Sequence, residues 1–122
     1  MALTSAGAQA LAQLANGETV AKFQYLTVGS GLTAFNASQT QLVTAYTDGH
    51  KLATTSRSGA VITYTAVYGV DDAEGDWEEW CITNNATVNN ATMIGRKVET
   101  LGTKPVGTQS WTFQTTVTYS AT

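Results

Sequence analysis

"SWTFQTTVTYS", residues 110–120, decides what kind of fold this chain can adopt. Trp111, Phe113, Thr115, Val117 and Tyr119 alternate with Thr112, Gln114, Thr116 and Thr118. A period of two belongs to a β-strand, because successive side chains point to opposite faces of the pleat. One face is core. The other is a threonine face for water or a neighbour.

The same reading extends upstream. "HKLATTS" (50–56) and "AVITYTAVYG" (60–69) flank Arg57-Ser58-Gly59, a hairpin signal. In the second, Ile62, Tyr64, Ala66 and Tyr68 share one face, with Val61, Thr63, Thr65 and Val67 on the other. "AKFQYLTVGSG" (21–31) carries β-formers and stops at Gly29-Ser30-Gly31. Residues 77–83 and 93–101 read as two more strands, "VDDAEGD" (70–76) as an acidic turn and "GTKPVGT" (102–108) as another turn. "FNASQTQLVT" (35–44) is a loop, or one helical turn capped by Asn36 or Ser38.

Only the opening departs from this pattern. Thr4 or Ser5 can cap a helix that runs alanine-rich to Ala15, and Asn16-Gly17 stops it. Leu3, Gly7, Leu11 and Leu14, helped by Ala8 and Ala10, form its apolar stripe. A helix over 5–15 and β structure over 21–120, in six or seven strands, predict one mainly β domain spanning 1–122. The expected architecture is an antiparallel β-sandwich or flattened barrel whose helix covers an edge or an open end.

The chain has 122 residues, 43% of them hydrophobic, enough for one core. Only 12% are charged, about half the usual share. Neutral polar surfaces of this kind suit a protein that packs against neighbours or adheres. The net charge is −3 with no basic patch, which argues against nucleic acid. One cysteine, Cys81, cannot form an intrachain disulfide. The first residues lack the basic and leucine-rich regions of a secretory leader, and no run approaches the ~20 apolar residues of a membrane span. The expectation is a protein made in a cytoplasm, with no membrane partner.

"WEEWCITNNATVNNATMIGRK", residues 77–97, looks most like an active site. Glycosidases need two carboxylates facing one sugar. Strand alternation instead puts Glu78 with Trp80 and Ile82, and Glu79 with Trp77 and Cys81. Glu79 is then expected in a structural ion pair with Arg96 or Lys97 across a hairpin. Cys81 lacks an adjacent base: the one histidine, His50, is expected at the surface at a strand start, so the thiol reads as a small buried hydrophobe. Asp71, Asp72, Glu74 and Asp76 do not follow the spacing of a calcium loop, and no Cys/His cluster suits zinc. Trp111 belongs to the core. Trp77 and Trp80 are expected on opposite faces, one in the core and one at the surface as a protein or sugar contact. The sequons at Asn36, Asn85 and Asn90 read as chance matches in a chain rich in Asn and Thr. No catalytic, cofactor or metal site is predicted.

Together these pieces resemble a known family. "LTSAGAQALAQLANGE" (3–18) followed by "FQYLTVGSGLTAFNASQTQL" (23–42) resembles the opening of small tailed-bacteriophage virion proteins. "RSGAVITYTAVYGVDDAEGDWEEWCITN" (57–84) and "GRKVETLGTKPVGTQSWTFQTTVTYS" (95–120) continue the resemblance over most of the chain. Such proteins include head decoration (cement) proteins and tail-collar fibre domains. The resemblance implies a non-enzymatic virion protein. The chain ends with its last strand, which favours a decoration protein bound to the outer capsid surface over a long fibre.

Its expected partners are the major capsid protein and copies of itself, as dimers or trimers. The expected contact elements are irregular and polar: Met1, Ala2, Leu3 and Thr4; Phe35 and Asn36 within the 30–40 loop; and Asn85, Thr87, Asn89, Asn90 and Thr92 in the 84–92 tract. A tail-collar or tail-fibre adaptor, and a carbohydrate-binding module using Trp77 or Trp80, are the alternative readings.

Overall fold

The structure, a computed structural model, describes residues 1–85 and 92–119. In chain order the elements are β1 (Ala2–Leu3), α1 (Ser5–Ala15), β2 (Tyr25–Gly29), β3 (Ala45–Leu52), β4 (Thr54–Ser58), β5 (Val61–Tyr68), β6 (Gly75–Thr83), β7 (Met93–Lys104) and β8 (Trp111–Thr118). They form an antiparallel sheet ordered β1-β7-β6-β2-β3 and a second ordered β4-β5-β8. The sheets face each other without closing, so of the two expected architectures the molecule takes the sandwich.

The core lies between the sheets. Leu26, Val28, Trp77, Trp80, Ile82 and Ile94 come from the first, and Tyr64, Ala66 and Tyr68 from the second. Burying each large side chain stabilises the fold by about 1.5–3 kcal/mol before entropy is counted. The face Ile62-Tyr64-Ala66-Tyr68 points inward as its period predicts. On β8 the inward residues Trp111, Phe113 and Val117 pack against the core but stay half-buried, because β8 is an edge strand. The β4–β5 hairpin closes at Ser58 and Val61, with Gly59 at φ +59 in the loop, a conformation that favours glycine.

The helix has its expected bounds. Thr4 caps it, its Oγ1 accepting from the Gly7 N–H at 2.9 Å. Only Gly17 takes the left-handed stop, at φ +77, whereas Asn16 stays at φ −83. Part of the expected stripe is buried: Gly7 and Ala10 are, Leu11 packs half-buried against the core, and Leu3, Ala8 and Leu14 are exposed. Leu14 is 45% exposed, and Leu3 lies outside the helix in β1 at 43%. The reason is close approach. A Cβ on Gly7 would overlap the Ile94 carbonyl of β7, so small residues take the contact and leucines are pushed to its flanks.

Several boundaries move. The expected strand 50–56 is two strands, β3 and β4, in different sheets. Ala53, buried between them, donates its N–H to the Gln24 carbonyl as the chain crosses over. β3 begins at Ala45, and its pairing with β2 slips between Thr27–His50 and Gly29–Ala45, so Asp48 and Gly49 lie in a bulge within the strand. β2 is shorter than 21–31, and β6 takes Gly75 and Asp76 from the acidic turn. β7 runs past Gly102, at φ +124, to Lys104. The buried Lys104 ammonium donates to the carbonyls of Gly69 (2.8 Å) and Val70 (3.1 Å), anchoring the turn that follows β5. With β1 there are eight strands among the described residues, against the expected six or seven.

β6 carries the decisive irregularity. Its register with β7 shifts between Trp77 and Glu79, so strict alternation breaks there. Trp77 and Trp80 both enter the core, at 2% and 3% exposure, instead of facing opposite ways.

Candidate functional site

On the other face of β6, Glu79 and Cys81 point away from the sandwich core. The Glu79 carboxylate and the Arg96 guanidinium lie 3.1 Å apart, both side chains 0% exposed. Glu79 stands opposite Val98 and Arg96 opposite Cys81, so the pair is diagonal across β6 and β7. Lys97, the other expected partner, instead pairs at the surface with Glu99. That carboxyl is held below the usual range by the Trp80 indole N–H first, with Lys97 adding to it.

The buried pair fastens a loop. Glu79 Oε1 accepts from the Thr44 N–H at 3.2 Å. Arg96 Nη1 donates to the Thr33 carbonyl at 2.8 Å and to Gln39 Oε1 at 3.3 Å. Gly31 lies so close that a Cβ there would overlap the Glu79 carboxylate. Leu42, Cys81 and Met93 form a small second core beneath the loop. Within it, Asn36 organises a turn: Oδ1 accepts from the Ser38 N–H (2.9 Å) and hydroxyl (2.7 Å), and its carbonyl accepts from the Gln39 N–H. Residues 30–44 are thus a built surface that presents exposed Asn36 and half-buried Phe35.

Two of the expected contact elements, the N-terminal segment and the 30–40 loop, adjoin each other. The Ser5 N–H donates to the Ala37 carbonyl at 2.8 Å, tying the N-terminal segment to the loop. β1 pairs with β7 at Arg96 and Gly95, so the sheet uses Ala2 and Leu3. Thr4, expected as a contact residue, is 1% exposed, because its hydroxyl caps the helix and donates to the Met93 carbonyl at 2.6 Å, so it offers almost no surface. Thr92, one residue before Met93, donates its N–H to Asn84 Oδ1. Asn85 is exposed and its carbonyl is held by His50. Thr87, Asn89 and Asn90 lie outside the described residues. The loop surface exposes Leu32 and Val43, with Leu32 the more open at 70%, whereas exposed Met1 and Leu3 line a separate hollow with Leu11, Ile94 and Val117. Residues 1–17 and 23–47 contain no charged side chain.

The reactive groups are spent on structure. His50 is not a surface residue at a strand start. It sits within β3, stacked on Tyr25, with Nδ1 2.6 Å from Thr27 Oγ1 and Nε2 2.6 Å from the Asn85 carbonyl. Nε2 therefore donates and Nδ1 accepts from the Thr27 hydroxyl. Thr27 also hydrogen-bonds Cys81, so the fold does link the cysteine to the histidine, through a threonine. Burial nonetheless pushes the Cys81 thiol up to about 12, only partly offset by Thr27. A protonated, buried thiol is a poor nucleophile.

Two outcomes are expected. Native protein resists iodoacetamide at pH 8 and reacts fully once denatured, as intact mass reads directly. The folded thiol titrates above its unfolded value of about 8.5, so its contribution is complete below about pH 8.5 and is lost as pH rises through 12. Buried Tyr64 and Tyr68 are raised in the same direction, chiefly by burial. Calorimetric melting temperature therefore falls above about pH 8.5, and Cys81→Ala removes the earliest part of that fall.

The acidic turn is closed by cations of the chain itself. Asp72 accepts from Lys51 at 2.9 Å and from the Gly69 N–H at 3.0 Å, which hold its carboxyl low. Among the described residues no group of three or more His, Cys, Asp or Glu side chains is placed to hold a metal. The sugar platform fails on geometry, since buried Trp77 and Trp80 offer no open ring face. One further concavity, about 620 Å³, opens between α1, the 20–23 segment and the β4–β5 hairpin. Leu11, Val20, Phe23, Ile62 and Tyr64 line it, with exposed Lys22 and Arg57 also in its lining.

Sequence reasoning found Glu79, Arg96 and the loop, but missed Thr27, Gly31 and Lys104. A Gly-Ser-Gly that ends a strand gives no sign that a carboxylate will lie against it. Comparison with protein-family models, curated proteins and solved structures returns no match for this chain.

Proposed function

We propose that this protein is a non-enzymatic virion structural protein, a capsid decoration protein made in the host cytoplasm. It binds the outer surface of the phage head and bridges major capsid subunits. One observation carries the reading: an uncharged loop surface with apolar tips is held in place by a completely buried ion pair. A surface already ordered before binding loses little conformational freedom on docking. Many such contacts on one shell add up, even where each is modest. The consumption of Glu79, Cys81 and His50 in structural contacts supports the same reading.

The test is the particle of the phage that encodes the chain. Quantitative mass spectrometry of purified virions is expected to find hundreds of copies on the head. Absence from virions sinks the proposal, and a handful of copies at the tail transfers the protein to the collar. Leu32→Asp is expected to weaken binding to undecorated heads at least about tenfold, the effect of one buried apolar anchor. Because no charge pairs form the surface, affinity should change less than about threefold between low and high salt. Steep salt dependence in a pull-down on heads contradicts the surface chosen here.

A further inference from the structure

β8 has the features of a strand that expects another strand. Among the described residues it pairs only with β5, along its whole length and without a register shift. Native proteins blunt exposed edges with charge, proline or bulges, and β8 has none of these. Elsewhere the edges are blunted: Asp48 and Lys51 lie on β3, Arg57 on β4, Lys97 and Glu99 on the length of β7 that β1 leaves uncovered, and β1 itself is only two residues long.

The Tyr119 N–H donates to the Ala60 carbonyl at 2.9 Å, which sets the phase of the ladder. In an antiparallel pair hydrogen-bonded positions alternate. The odd-numbered residues of β8 therefore bond β5, and Thr112, Gln114, Thr116 and Thr118 turn their backbone N–H and C=O groups away from the sheet.

We infer that β8 is the seam of a homodimer, in which β8 of a second copy pairs antiparallel across a two-fold axis at Thr115. This register sets Thr112 against Thr118 and Gln114 against Thr116 of the other copy. Every outward group is then used, in about eight backbone hydrogen bonds, within the range of a specific interface. The exposed halves of Trp111 and Phe113 come opposite Tyr119 and Val117 of the second copy, so the inner apolar stripe continues across the seam. Identical uncharged edges do not repel, so no charge on β8 opposes its pairing with a second copy across a two-fold axis. The inference does not rest on the capsid reading.

Light scattering on the full chain is expected to give twice the 12.9 kDa chain mass. Hydrogen exchange should slow with concentration at the amides of Thr112, Gln114, Thr116 and Thr118. Thr116→Pro removes an outward N–H, which an edge strand tolerates, and should raise the dissociation constant about 100-fold with circular dichroism unchanged. If that variant fails to fold, Gln114→Lys, whose side chain lies on the solvent face, should weaken the dimer about tenfold through like-charge repulsion. A wild-type monomer at the highest soluble concentration overturns the inference. So does a folded variant that stays dimeric, or protection at a different strand.

Discussion

Arg96→Met lowers the free energy of unfolding by about 3–5 kcal/mol, the usual effect of removing one partner of a buried ion pair. The cost arises mostly in what is left behind. Glu79 remains 0% exposed with its only cation gone, and the Thr33 carbonyl and Gln39 Oε1 each lose a donor. Urea denaturation measures the loss, and a change below about 1 kcal/mol, the range of an exposed pair, refutes this account. The double variant Arg96→Met with Glu79→Leu should recover most of the stability, because no uncompensated charge stays buried. It should not recover the loop. Without the carboxylate the Thr44 N–H has lost its acceptor, so that amide exchanges faster and proteases cut within 30–44. Stability restored while the loop stays loose separates the two roles of the pair.

Trp77→Ala is the second large effect, about 3–5 kcal/mol. The ring lies edge-on to Tyr68 at 4.8 Å, to Trp111 at 5.1 Å and to Phe113 at 6.1 Å, so it joins β5, β6 and β8. Its N–H donates to the carbonyl of Ala73 at 2.7 Å, a residue held at φ +50. Trp77→Phe keeps most of the apolar contact but leaves that carbonyl without its donor, which should cost about 1–3 kcal/mol. Glu78→Ala, one residue away, removes only an exposed bond to Thr100, and its effect should stay within about 0.5 kcal/mol. If chemical denaturation ranks Glu78→Ala above Trp77→Phe, the shifted register of β6 is wrong.

That contrast shows why β6 was only half legible. From Glu79 to Cys81 the alternation holds, and the expected pairing with Arg96 follows from it. At Trp77 the register shift adds a residue that no local pattern announces, and the tryptophan changes face. The 50–56 segment failed similarly. Its composition is that of one strand, but the crossing at Ala53 is set by a bond to Gln24 in a neighbouring segment. The contact loop was legible as irregular, polar and uncharged. Its order was not, because the groups that impose it lie far away in sequence.

The sequence by itself determined the class of structure: a capped helix over 5–15, inward and outward faces on β5 and β8, and a glycine hairpin between β4 and β5. These features rest on interactions between residues two to four positions apart, which the order of amino acids states directly. Only the tertiary structure decided where the chain changes sheets, which tryptophans are buried and which glutamate becomes a clamp. It also decided that Lys104 anchors the turn after β5. Those outcomes depend on groups as distant as Arg96 and Thr33, 63 positions apart, whose meeting is set by packing.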